Sequence, residues 1–139
     1  EKNTWNSLYD TNFLHNSLVL SQKWFDNLQD DKHIIKYMFS PENNEFIDER
    51  NIVREIGSFW WYVRLYNHHK NPKSLEKINK IRATLDDYIQ YDTIEWLDIA
   101  YIEHDGIALI NTQAFYLLSM VELVKSWIEL TEKEKNNLK

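Results

Sequence analysis

The sequence predicts an all-α fold whose helices lie in an outer and an inner layer. Three observations predict it. Residues 50–69 (RNIVREIGSFWWYVRLYNHH) are apolar almost all round, and residues 111–130 (NTQAFYLLSMVELVKSWIEL) are apolar around most of the circumference. The stretches before them, 11–28 and 74–91, are apolar on one side only, the pattern of a surface helix. With two Gly and two Pro in 139 residues, there is little material for tight turns or glycine-rich phosphate loops.

The first helix is expected over 11–28. Phe13, Leu14, Leu18, Leu20, Trp24, Phe25 and Leu28 share about half of the helical circle, and Asp10 or Thr11 supplies an N-cap. The period is then lost. Ile34 to Phe39 reads as a short extended piece, and Ser40-Pro41-Glu42-Asn43-Asn44 as a turn.

The second helix carries Ile52, Val53, Ile56, Phe59, Trp60, Trp61, Tyr62, Val63, Leu65 and Tyr66. Its polar exceptions Asn51, Arg54, Glu55 and Ser58 form one stripe in the N-terminal half. Gly57 inside this helix costs about 1 kcal/mol relative to Ala, so a neighbouring backbone or ring is expected close against it. Asn71-Pro72 opens the third helix, where the missing N–H of proline does no harm. Its apolar stripe runs from Leu75 through Tyr88 and Ile89. A small β-hairpin is expected near 100–110, with 101–103 and 107–109 flanking the Asp105-Gly106 turn. Asn111 or Thr112 should cap the fourth helix. After Leu130 a charged tail is either a frayed end or a further helix.

The length suits one helical domain over 1–139, or a portion of a larger assembly. A net charge of -6 with no Lys/Arg cluster argues against nucleic acid. The absence of Cys removes disulfides and thiolate metal sites. No run approaches the ~18 apolar residues of a membrane span. A chain that opens at Glu1 without a charged-then-apolar leader fits either a removed leader or a piece of a longer protein. A soluble chain is expected, with the cytoplasm slightly favoured over export.

The order of features resembles a known architecture. An outer helix ends in Trp24-Phe25-x-x-x-Gln29, and an extended piece carries Tyr37. An inner helix then opens Asn51-x-x-Arg54-x-x-Gly57. A second outer helix, a hairpin with Gly106 and an inner helix opening Asn111-x-Gln113-Ala114 follow. This resembles about two repeats of the (α/α) toroid proteins: the six-hairpin glycosidase-like, sugar-epimerase-like and terpenoid-cyclase-like barrels. The resemblance implies a carbohydrate-active domain, glycosidase-, lyase- or epimerase-like, whose funnel lies at the N-termini of the inner helices.

Two constellations carry the candidate chemistry. Asp48, Glu49, Asn51, Arg54 and Glu55 stand at the mouth of the second helix, where a carboxylate beside an arginine can bind sugar hydroxyls or transfer a proton. The same residues are also what a helix N-terminus ordinarily attracts. Tyr101, Glu103, His104 and Asp105 stand near the expected hairpin, as acid–base groups or as an ordinary solvated turn. The catalytic candidates are Glu55, Glu103 and Asp105, and the substrate-binding candidates are Asn51, Arg54, Trp61, Tyr101 and Gln113. His68-His69 point about 100° apart on a helix and do not suit one ion. No metal and no cofactor is implied.

The rival expectation is a non-catalytic helical module that binds a protein partner or a second copy of itself. Two helices with apolar surface on several sides need more cover than two outer helices provide.

Overall fold

The computed structural model describes residues 10–30 and 34–138. Five helices and two β-ribbons follow in the order α1 (Thr11–Leu28), β1 (Phe39–Ser40), β2 (Glu45–Phe46), α2 (Ile52–His69), α3 (Pro72–Asp86), β3 (Ile89–Ile94), β4 (Leu97–Ile102), α4 (Ile110–Lys125) and α5 (Glu132–Asn137). The fold is predominantly helical but mixed, and the all-α expectation is corrected by the two antiparallel ribbons.

The larger ribbon is not where the Asp-Gly signal put it. Ile89 pairs with Ile102 and Ile94 with Leu97, so the connection is Glu95-Trp96. Glu95 takes φ +60° there without the Asn or Gly that would mark such a turn. Tyr91, Thr93 and Ile94 suit a strand, which is why α3 stops at Asp86 instead of running on to Tyr91. Asp105-Gly106 does form a two-residue turn, with φ +53° and +75°. It is closed by the single bridge between His104 and Ile107. No strand continues beyond it, because Ile110 already starts α4.

Helix α2 is the centre of the packing. Its Ile56, Phe59, Tyr62 and Val63 meet Ile78 and Leu85 of α3, Ile102 of β4, and Met120 and Leu123 of α4 in one buried cluster. Enclosure is incomplete: Arg54, Trp61 and Arg64 are exposed, with the Arg64 guanidinium 4.9 Å from the centre of the Trp61 ring. Gly57 faces Phe115, as the sequence suggested. A Cβ there would lie 3.7 Å from the ring, an ordinary contact, so the approach does not demand glycine.

Helix α1 is the loosest element. Phe13, Leu14, Leu20 and Trp24 are each more than half exposed, whereas Gln22 is buried. The packed face is carried by Gln22, Phe25 and Leu28, so only part of the apolar stripe is covered.

Helix α4 departs furthest from the two-layer expectation. Thr112, Tyr116, Ser119, Met120 and Leu123 are buried on one side. Ile110, Leu117, Leu118, Val121 and Val124 are exposed on the opposite side. Its C-terminus closes in a Schellman motif: Ile128 N–H donates to Leu123 O at 3.0 Å and Trp127 N–H to Val124 O at 3.0 Å. The left-handed position, which usually takes glycine, is occupied by Trp127 (φ +61°). The Trp127 side chain is 94% exposed.

The charged tail forms α5 behind a capping box in which Thr131 and Glu134 satisfy each other's backbone amides.

Candidate functional site

The mouth of α2 is built from its first turn. Asn51 is the N-cap, its side-chain oxygen accepting from Arg54 N–H at 3.1 Å. Glu55 turns inward and has no exposed surface. It accepts from Arg50 Nε at 3.0 Å and Nη2 at 2.7 Å, and from the Ile34 amide at 3.3 Å. The carboxylate of this helix mouth is thus paired internally, with Arg50 rather than with the candidate Arg54. The Glu55 hydrogen bond raises the Arg50 pKa, against the opposing effect of burial. Arg54 points outward, with its guanidinium 4.8 Å from the centre of the Tyr37 ring.

Tyr88 joins the two constellations that the sequence singled out. The Arg50 guanidinium lies 5.1 Å from the Tyr88 ring centre, and the His104 ring centre lies 5.6 Å from it. His104 Nδ1 is 3.4 Å from an Asp105 oxygen. A line of contacts therefore runs Glu55–Arg50–Tyr88–His104–Asp105. Burial raises the Tyr88 phenol pKa, and Arg50 opposes that rise. Sequence reasoning left Tyr88 on a helical stripe, so nothing marked it as the link.

The remaining candidates occupy other places. Glu103 is half-buried, and its amide donates to Tyr88 O at 3.0 Å, extending the β3–β4 ladder by one bond. Asp105 is exposed on its turn. Gln113 is structural: Oε1 accepts from Ile102 N–H at 2.9 Å and Nε2 donates to Ile102 O at 2.8 Å, fastening α4 to β4. Gln113 and Tyr101 line a cavity of about 120 Å³ together with Ile89, Tyr116 and Asn137, and none of the three candidate carboxylates lines it. Trp61 lies on the open stripe of α2, on a different turn from Asn51 and Glu55.

A second polar cluster had no sequence signal beyond Gln22 and Asp26 standing four residues apart. Asp26 accepts from Tyr62 OH at 2.6 Å, Lys77 Nζ at 3.2 Å and Gln22 Nε2 at 3.4 Å. Burial, then the hydrogen bond to Asp26, holds the Tyr62 phenol far above its ordinary pKa. The cluster ties α1 and α3 to α2 beside an open groove of about 430 Å³.

Among the described residues, no group of three or more His, Asp or Glu is arranged to hold a metal ion. Among the same residues, no helix is long and apolar enough to cross a membrane. What the arrangement offers chemically is therefore mostly anchored charge, and the outward side of α4 is an exposed apolar surface apart from it. No family model, curated protein or solved structure matches the chain.

Proposed function

We propose that this chain is a non-catalytic helical module that docks an apolar helix against the outward face of α4. One observation carries the reading: α4 is apolar on the side opposite its core contacts. At 100° per residue, Ile110, Ala114, Leu117, Leu118, Val121 and Val124 fall within an arc of roughly 120°, in which Lys125 at the C-terminal end is the one charged residue. A helix that serves only as a surface element carries charge there, and a contiguous apolar patch of this kind marks an interaction face.

Trp127 supports the same reading. Left-handed backbone costs a non-glycine residue about 1–2 kcal/mol, and here the ring gains no packing in return. Glu55 supports it from the other direction, since a carboxylate with no exposed surface and two bonds to Arg50 is not available to a substrate.

The test is a titration with a synthetic amphipathic helix bearing Leu at its a and d positions. The protein is held at nanomolar concentration and its Trp fluorescence is followed. Saturable binding should appear and should vanish in a Leu117→Lys/Val121→Lys variant that keeps the parent's helical signal. Mono- and oligosaccharides should leave the melting temperature unmoved. Binding indifferent to the double substitution, or a sugar-induced shift lost in Arg54→Ala, would overturn the proposal.

A further inference from the structure

We infer that the cavity between the β3–β4 ribbon, α4 and α5 binds one small neutral molecule with an apolar body and a single carbonyl oxygen. The site is separate from the docking reading above and has walls of its own. Ile89 and Tyr91 of β3 pair with Ile102 and Ala100 of β4, and alternate residues of a strand share a face. Gln113 fastens α4 to this ribbon through both backbone groups of Ile102. Ala100 carries only a methyl where Ile89 and Ile102 carry full side chains, and a space of about 120 Å³ is left between ribbon and helix.

Two polar groups on the cavity wall are left over. Among the described residues, Tyr116 Oη and Asn137 Nδ2 are buried, and neither has a hydrogen-bond partner. Tyr116 is only 7% exposed. The Tyr91 hydroxyl donates to Asn137 Oδ1 at 3.0 Å, which fixes Nδ2 as the end of the amide left unpaired. Burial raises the Tyr116 phenol pKa and the Asn137 amide opposes that rise, so the two groups are neighbours that do not bond each other. Both can donate, and one oxygen with two lone pairs accepts from each. A buried donor without a partner is costly, so an oxygen supplied there gains more than it would in water.

The rest of the wall selects the rest of the ligand. Ile89, Ala100, Ile102 and Leu117 are apolar, and the Gln113 amide is already committed to Ile102. An apolar cavity of about 150 Å³ accepts benzene, so this slightly smaller one suits a single small ring. One water satisfies the two donors, but a space of this size holds several, and the apolar walls offer the others few partners. Among the described residues no Lys or Arg lines the space, and the charges acting on Tyr116 are the carboxylates of Glu134 and Asp86. An anionic ligand is therefore refused and a neutral carbonyl admitted. Leu117 is half-exposed and gives the ligand a way in.

Cyclohexanone is the probe, titrated into the intact chain and followed by amide NMR. Saturable shifts should appear at about millimolar concentration and centre on Ile89, Ala100, Ile102 and Tyr116. Methylenecyclohexane, which lacks the oxygen, and cyclohexanecarboxylate, which carries a charge, should each bind at least about fivefold more weakly. Tyr116→Phe should weaken cyclohexanone about three- to tenfold and leave methylenecyclohexane unchanged. Ala100→Leu fills the space and should abolish binding while the chain stays folded. Should that variant fail to fold, the ligand series and Tyr116→Phe decide the matter. Equal binding of cyclohexanone and methylenecyclohexane, or tighter binding of the carboxylate, would overturn the neutral-carbonyl assignment. No saturable shift up to about 20 mM, or shifts that persist in folded Ala100→Leu, would overturn the site itself.

Discussion

Glu55 is held by two nitrogens of Arg50, Nε at 3.0 Å and Nη2 at 2.7 Å, with no water-accessible surface of its own. The pair pins the segment before α2 to the helix's first turn. Arg50 is 28% exposed, which moderates the consequence of losing it. Arg50→Met leaves a buried charge uncompensated, and the loss should approach the about 3 kcal/mol low end of broken buried pairs. Urea unfolding checks this. A double-mutant cycle with Glu55→Gln should show that the second change costs far less once the first is made.

Gly57→Ala should stabilise the fold. The added methyl meets the Phe115 ring at 3.7 Å, an ordinary contact, and the helix interior gains roughly 0.5–1 kcal/mol from replacing glycine. A rise in melting temperature supports this; a fall would mean that the ring cannot accommodate the methyl.

Gln113→Leu should strip both backbone groups of Ile102 of their partner while keeping the side chain's bulk. Ile102 is 1% exposed, so each unsatisfied group costs about 1–3 kcal/mol. Beyond the lower stability, the Ile102 amide should lose protection in hydrogen exchange relative to its neighbours in the ribbon.

Stability should fall on the acid side through Glu134. Burial pushes its carboxyl pKa up, but the Arg82 hydrogen bond and the Thr131 amide outweigh that and hold it below the ordinary 4.5. A carboxylate with a lowered folded-state pKa stabilises the fold above its unfolded value, and the benefit fades as pH falls through the folded value. Glu134→Gln should therefore melt below the parent at neutral pH, and the gap should narrow as pH drops beneath 4.5. A gap independent of pH would assign the Glu134 contribution to packing instead.

How much of this was legible in the sequence follows from which signals are local. Helix α4 takes Leu109 as its N-cap, with no side-chain hydrogen bond, in place of the expected Asn111 or Thr112. The cap at Asp10, the opening of α3 at Asn71-Pro72, the Asp105-Gly106 turn and the dominance of α2 rest on neighbouring residues or on periodicity. All of them could be read directly. The β3–β4 ribbon could not, because its Glu95-Trp96 connection uses residues with no turn preference and its first strand continues the apolar stripe of α3. Candidate-site residues fared similarly. Asn51 and Glu55 share a helix mouth with Arg50, five residues before Glu55, whereas Tyr88 and His104 join that group only through contacts between distant segments. Arg82–Glu134 is of the same kind: its partners are 52 residues apart, with Arg82 Nε 2.7 Å from Glu134 Oε1.

The closure of α4 on Trp127 sets folding and association against each other. Glycine at that position would relax the left-handed backbone at once, so Trp127→Gly should melt higher than the parent while associating more weakly. Selection for a solitary, maximally durable chain would favour that exchange. On the proposed docking of a helix against α4, an indole held open at the helix end is surface kept for the incoming helix at the expense of backbone ease.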